Sequence, residues 1–336
     1  MKKLKILVLF DSAGTPPKDQ NFTEDFKKED WLTEAAVVET LQAIGHTVRI
    51  LGVYDDVGIL IKEIEEHRPD IVFNLTEIFR GKAYLDKNIP AFLDLLDIPY
   101  TGCGPDGLIL CNDKALSKKI LTYHRIKVPR FHTLWKGKRV WLPKKMNFPL
   151  VIKPLQEEAS TGISQASYAA TEEQFRERIH FIHENMKMNA IAEEYIDGRE
   201  LYVSIMGNRR LQAFPIREMK FTKIPDGQPK MATYKAKWYN AYRKKWGITN
   251  DFVEDLSEVF TKKIHRICKR AYRALSIDGY ARFDCRLTAD ENIYILEANG
   301  NPALARSDEF AESANKGGLP YDVLIQRILN LAFTRE

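Results

Sequence analysis

Asp284, Glu297 and Asn299 are the residues of this sequence best suited to hold a hard cation, and Arg282 stands two positions before the first of them. Asp284 belongs to the run Ala281-Arg282-Phe283-Asp284-Cys285-Arg286-Leu287, while Glu297 and Asn299 follow the apolar run that starts at Ile293. The polar stretch Thr288 to Asn292 joins the two, so they read as a hairpin. Side chains alternate across a strand. Arg282 and Asp284 therefore share one face, with Ala281, Phe283 and Cys285 on the other; Glu297 and Asn299 share a face, opposed by Tyr294, Leu296 and Ala298. Pairing the polar faces gathers two carboxylates, an amide oxygen and a guanidinium. Mg²⁺ prefers such oxygen donors and is completed by waters and substrate phosphates. An arginine alongside meets phosphate or a developing oxyanion. The plainer reading is a surface hairpin whose polar residues face water. The Gly/Pro break just after Asn299 weighs against it, because sites are commonly built at strand ends.

Elements to carry this hairpin can be read in order. Lys5 to Phe10, Thr47 to Leu51 and Ile71 to Leu75 read as strands, with helices over Trp31 to Ile44 and Val57 to His67 between them. That alternation predicts an α/β unit with a parallel sheet, whose ligands collect at strand carboxyl ends. Asp11 to Asp30 reads as a long loop, and Asn74-Leu75-Thr76-Glu77 sits at a strand end. Ile89 to Leu96 and Lys114 to Leu121 read as helices, the latter capped by Asn112 or Asp113. A second unit follows, with strands at Val128 to Phe131, Phe148 to Pro154 and Ala190 to Ile196. The small-residue loop after Lys153 could fold over phosphate through backbone N–H groups and Ser160. Thr171 to Asn185 is a helix with a Thr171/Gln174 capping box. Leu201 to Met206 is a strand, Lys220 to Gly247 a basic and aromatic flap, Val253 to Leu275 a long amphipathic helix, and Pro320 to Ala332 a closing helix.

The 336 residues suffice for two or three domains, and 44% hydrophobic with 29% charged side chains is ordinary for a soluble globular chain. Fifty-one basic against 46 acidic residues leave a net charge of +5, which fits an anionic small molecule and supplies no long basic arm. Nucleic acid and membrane are not expected as partners. The Lys235 to Lys245 patch is the only hint of nucleic acid, and no apolar run reaches the length of a membrane span. Cys103, Cys111, Cys268 and Cys285 lack metal-ligand or C-x-x-C spacing and read as reduced core residues, so the cytoplasm is expected.

Together these motifs resemble the ATP-grasp superfamily, and within it the D-alanine–D-alanine ligases and their relatives. The resemblance is carried by Asn112-Asp113-Lys114, Val151-Ile152-Lys153-Pro154, Glu193-Glu194-Tyr195-Ile196-Asp197-Gly198-Arg199-Glu200, Arg282-Phe283-Asp284 and Leu296-Glu297-Ala298-Asn299. It spans about Ile71 to Leu329. It implies an α/β, α+β ATP-grasp fold: a Rossmann-like N-terminal domain over residues 1–112, a central subdomain over 113–196, and a C-terminal subdomain with the metal and catalytic site over 197–336. It implies ATP as cofactor with two Mg²⁺, for which Mn²⁺ could substitute, and a homodimer. Lys114 and Lys153 would reach the nucleotide, Glu193, Glu194, Tyr195 and Ile196 the adenine, Glu200 the ribose, and Leu296 would line the same site. Asp284, Glu297 and Asn299 would bind the metals. Ser160 matches a phosphate-loop serine, Lys237 the lysine of a mobile loop, and Arg282, with a backbone N–H near Ala303, would stabilise charged intermediates.

The reaction so implied joins a small-molecule carboxylate to an amine through an acylphosphate. This sequence departs from the family where substrates would sit. Asp308-Glu309 stands where the ligases carry serine-leucine, and an acidic pair repels a carboxylate and attracts an amine or guanidinium. Glu29 or Glu24 would replace the early glutamate, Glu77 follows the third strand, Ala159 replaces a serine and Trp238 a tyrosine. The expectation is an ATP- and Mg²⁺-dependent peptide or amide ligase whose acceptor is not D-alanine. The alternatives are D-alanine–D-alanine ligation and a nucleotide-binding module without catalysis.

Overall fold

The computed structural model describes residues 3–156, 162–225 and 227–335. In the first part, β1 (Lys5–Asp11), α1 (Leu32–Ala43), β2 (Thr47–Val53), α2 (Gly58–His67) and β3 (Ile71–Asn74) form a parallel sheet in the order β2-β1-β3. It is followed by α3 (Asn88–Leu95) and α4 (Pro105–Asn112). Ile6 to Phe10 are buried on both faces, as the continuous apolar run requires of a central parallel strand. The long loop expected over Asp11 to Asp30 follows β1 and is packed against it. Phe22, Phe26 and Trp31 close around Phe10 with ring centroids 4.9, 5.7 and 5.5 Å away, and two single-turn helices shape the chain there. Their apolar spacing is too irregular for any periodic pattern, so only the tertiary contact organises it.

The second part contains α5 (Lys114–Tyr123), β4 (Phe131–Leu134), β5 (Leu150–Pro154), β6 (Tyr168–Ala169), α6 (Glu172–Glu184) and β7 (Ala190–Glu194). Its four-stranded antiparallel sheet runs β4-β7-β5-β6. Asp113 caps α5 by accepting from the N–H groups of Ala115 and Leu116, and Thr171 caps α6. The first strand begins at Phe131, not Val128, because Pro129 cannot donate to the ladder.

The third part holds β8 (Arg199–Met206), β9 (Gln212–Ala213), β10 (Arg217–Phe221), α7 (Tyr234–Trp238), α8 (Asn240–Trp246), β11 (Ile248–Phe252), α9 (Glu258–Ala274), β12 (Tyr280–Leu287), β13 (Ile293–Gly300), α10 (Glu309–Lys316) and α11 (Tyr321–Ala332). The sheet order is β11-β10-β8-β12-β13, with β9 on β8. Gly279 enters the hairpin at φ +71°, where an added Cβ would come within 2.7 Å of the Gly102 carbonyl oxygen. Glycine is needed for that approach. The chain's end closes on its beginning: Tyr280, Leu304, Phe310, Leu324 and Leu329 share a core with Ile6, Phe10 and Phe73.

The hairpin departs from simple alternation in one respect. Asp284 pairs with Glu297 but Cys285 pairs with Ile295, so Leu296 is an extra residue on β13. Such a bulge changes which face the following residues take. Ile293 and Ile295 therefore join Ala298 in the core, while Leu296 and Glu297 both reach the cleft. The expectation that Leu296 lies opposite Glu297 is corrected on this ground.

Candidate functional site

Residues directly opposite on antiparallel strands share a face, so the ladder register assembles the site in rows. One row holds Arg217, Tyr202, Asp284 and Glu297; the next holds Ser204, Arg282 and Asn299; on the other side come Met219, Glu200 and Arg286. The grouping expected from the hairpin alone is present. Arg282 donates to both Asp284 oxygens at 2.8 and 3.2 Å, and the Asn299 amide donates to Asp284 at 3.2 Å. Lys237 Nζ lies 3.6 Å from the same carboxylate. The Arg282 guanidinium rests over the Tyr202 ring, 5.1 Å from its centroid. The Ser204 hydroxyl, in the Arg282 row, is wholly buried and has no hydrogen-bond partner among the described residues.

The opposite wall comes from α5 and the β5/β7 pair. Lys114 Nζ is 3.0 Å from Glu297. Lys118 and Lys153 each stand 3.1 Å from a different oxygen of Glu193, which is 2% exposed. Lys118 also donates to the Leu296 carbonyl that the bulge turns toward it. Burial pushes the Glu297 carboxyl up, but Lys114, Lys153 and Lys237 outweigh it and hold it at about 2. Glu193 is likewise lowered, burial being overcome by Lys118 and Lys153. Burial lowers the Lys118 ammonium, since Glu193 is shared with a second lysine. The cleft between these walls is lined by Lys153, Glu193, Glu194, Tyr195, Ile196, Glu200, Lys237, Asp284, Arg286, Leu296 and Glu297. Glu200 is held by Arg286 at 2.7 Å, and Arg286 also donates to the Gly198 carbonyl. Ser160 lies outside the described residues.

Two of these residues escaped the sequence reading although a signal existed. Lys118 is four residues past Lys114 on one helical face, and Arg286 is two past Asp284 on one strand face. Arg217 and Tyr202 carried no signal; only the sheet register brings them in.

Asp284, Glu297 and Asn299 have the chemistry for a hard divalent cation: two carboxylates in register and an amide. Among the described residues no group of three or more His, Cys, Asp or Glu is placed to hold a metal by itself. These three residues therefore fit Mg²⁺ only with further oxygens, such as those of phosphate.

The acidic residues assigned to substrates divide. Glu29 is exposed on the turn Glu29–Trp31, and Glu24 is paired with Lys27 at the surface, so neither supplies a buried carboxylate. Glu34, on the first turn of α1, is half-buried. Burial, with Asp11 and Asp308 nearby, pushes its carboxyl to about 7. Asp11, at the end of β1, accepts from the Glu77 and Ile78 N–H groups at 2.7 and 3.2 Å, which puts Glu77 at the same rim though its side chain is exposed. Asp308 accepts from the Ala305 N–H at 2.7 Å, and burial with Glu309 beside it raises its carboxyl to about 6. Glu309 differs from its neighbour. Asn250 donates to it at 2.7 Å and Arg282 lies 3.7 Å away, so despite burial its carboxyl is lowered, with Arg282 foremost and Lys237 and Arg217 assisting. Of the two acids expected to attract an amine, Glu309 is thus already held by Arg282, whereas Asp308, with Glu34 nearby, is raised.

A carboxyl raised in the folded state favours folding at low pH and loses that advantage as pH climbs from its unfolded value to its folded one. For Glu34 the window runs from 4.5 to about 7. Its partial contact with solvent leaves about 1–2 kcal/mol across that window. Glu34→Gln is expected to flatten the fall in melting temperature between about pH 5 and pH 7, read by thermal denaturation over a pH series.

A sequence model of the D-ala D-ala ligase C-terminus matches residues 120–330. Among related proteins, an uncharacterized protein y4sG of Sinorhizobium fredii is 29% identical over 307 residues, covering 89% of this chain and 87% of its own. The D-alanine–D-alanine ligase of Desulfotalea psychrophila is 29% identical over 271 residues, covering 80% and 79%. The crystal structure of D-alanine–D-alanine ligase from Bacillus anthracis complexed with ATP superposes with a TM-score of 0.76 at 20% identity, covering 99% of this chain and 98% of that one. The fold is therefore ATP-grasp. No helix among the described residues is long and apolar enough to cross a membrane.

Proposed function

The chain belongs to the D-alanine–D-alanine ligase family of ATP-dependent, ADP-forming carboxylate–amine ligases, and from that premise we propose that it joins a small carboxylate to an acceptor carrying a positive charge. What supports the reaction is one observation: the ammonium groups of Lys114, Lys118, Lys153 and Lys237 and the Arg282 guanidinium converge on the carboxylates of Glu193, Glu297 and Asp284 in a single cleft. Such an arrangement offsets the charge of a polyphosphate while its own carboxylates keep the lysines extended. A substrate carboxylate oxygen attacks the γ-phosphorus of ATP; the bond to the β-phosphate oxygen breaks, leaving ADP and an acylphosphate. The acceptor amine then attacks the acyl carbon, loses a proton, and expels phosphate. Asp284, Glu297 and Asn299 would hold Mg²⁺, which when bound polarises the transferring phosphate. Lys153 and Lys237 orient the phosphates. Arg282, fixed by Asp284 and Tyr202, is the donor beside the tetrahedral oxygen.

The acceptor's charge is supported by Asp11, Glu34 and Asp308, three carboxyls whose burial and mutual repulsion a cationic ligand relieves. D-alanine as acceptor is the second reading, favoured by the name of the Desulfotalea psychrophila relative. Coupled measurement of ADP release separates them, with D-alanine alone set against D-alanine plus basic amino acids or polyamines. Stimulation by the cationic acceptors is expected, and robust turnover on D-alanine alone rules the first reading out. Asp308→Ser is expected to raise the KM of a cationic acceptor about tenfold or more, the loss of one charge-assisted contact.

A further inference from the structure

Residues 114–156 contain twelve lysines and arginines and no acid, and residues 259–277 contain six and none. Two segments of 62 residues thus hold eighteen of the 51 basic side chains and none of the 46 acidic ones. Far apart in sequence, they meet in space. α5 packs against both α9 and β4, and Arg270 of α9 donates to the His124 carbonyl just past α5 at 2.8 Å. Lys114, Lys118 and Lys153 point into the cleft, whereas Lys119, Arg125, Lys138, Arg139, Lys145 and Arg266 are among those exposed. Among the described residues, Arg130 and Lys262 alone of the surface cations in these segments lie within ion-pair distance of a carboxylate, Glu194 and Glu258.

Three large aromatic side chains stand out among these cations. Tyr123, Trp135 and Trp141 are 83%, 53% and 51% exposed. Trp141 is braced edge-on against His132 of β4, 4.4 Å between centroids, and lies on the α6 side of the sheet beside Glu172 and Arg176, away from α5. β4 is an edge strand, and the chain after it folds back so that Arg130 donates to the Lys145 carbonyl at 3.0 Å.

We propose that the surface formed by the outer side of α5, α9 and the β4 edge docks a single-stranded nucleic acid, with the lysines and arginines along its phosphates and Tyr123 and Trp135 stacking on bases. Cations interleaved with exposed aromatics are what such a strand needs, with little demand on its sequence. A bilayer is disfavoured because α9 buries its apolar side, Ile264, Cys268, Ala271 and Tyr272, in the core and offers lipid only charge. The flap over Lys235 to Lys245, by contrast, is two short helices beside the cleft.

The test is fluorescence anisotropy of the full chain with a labelled oligouridylate of about 20 nucleotides, in saturating ATP so that the nucleotide cleft is filled. Binding is expected, weakening roughly 300-fold between about 50 and about 200 mM salt if about six phosphates are contacted. K138E/R139E/K145E and K263E/R266E are each expected to weaken it about tenfold or more and to flatten the salt slope, and W135A to weaken it without changing the slope. ADP release by each variant stays as in the parent, which shows the fold intact. No binding at about 100 mM salt, equal binding by the charge-reversed variants, or preferential binding to phosphatidylserine vesicles overturns the proposal.

Discussion

Glu297→Ala is expected to lower substrate-dependent ADP release by about 10³-fold or more, the scale seen when a group central to charge stabilisation is removed. Three consequences converge on this one carboxylate. Asp284 loses its in-register partner, Lys114 loses the anion 3.0 Å away that holds it in the cleft, and Lys153 and Lys237 lose part of their neutralisation. Glu297→Gln keeps the volume and one oxygen but not the charge, so it should fall between the parent and alanine. Because Glu297 is partly exposed at the cleft but its partner Lys114 is buried, the melting temperature should fall, by less than for the fully buried Glu193. Steady-state ADP release and thermal denaturation of both variants check this, and turnover in the alanine variant near that of the parent removes Glu297 from the chemistry.

The second large effect is expected on stability. Glu193→Ala leaves two ammonium groups, Lys118 and Lys153, facing each other without the carboxylate that each now meets at 3.1 Å. Breaking a buried ion pair by removing one partner costs about 3–5 kcal/mol. With two cations left facing each other the loss lies at the upper end, which for a chain of this size means a melting temperature lower by about 7 °C. Lys118→Met should be milder, because Glu193 retains Lys153. The double variant should cost less than the sum, since no uncompensated cation pair remains. A strictly additive cycle would mean that the three groups do not act as one network. Nucleotide binding offers a second readout, for phosphate is an anion able to replace Glu193 beside the lysines. Added ATP should raise the melting temperature of Glu193→Ala more than that of the parent.

How far the site was legible depends on the kind of order that makes it. Local order was readable. The alternation of Ala281 to Leu287 put Arg282 and Asp284 on one face, Asp113 announced the start of α5, and the apolar run Lys5 to Phe10 announced a central parallel strand. These follow from backbone geometry within a few residues, which the chain carries in its own spacing. The family, and with it the nucleotide, was readable from motifs such as Glu193 to Glu200 because their order along the chain is itself the signal.

The rest was decided in three dimensions. Whether Leu296 faces the core or the cleft turns on one bulge, and a one-residue shift reverses every face that follows. Asp308 and Glu309 are adjacent in sequence with similar side chains, yet one is raised by burial and the other lowered, because Arg282 lies 3.7 Å from Glu309 and acts there with Lys237 and Arg217, whereas at Asp308 its pull is outweighed by burial and by Glu309. Glu34 is the more buried of the two acids because the aromatics Phe22, Phe26 and Trp31 fold onto Phe10 and carry Glu29 to the surface. The sequence by itself determined the elements, the fold and which residue types gather at the hairpin, since these rest on short-range periodicity. Tertiary structure alone decided which carboxylates are neutralised by nearby cations and which are raised by burial, since a charge is set by neighbours that the chain brings from far away.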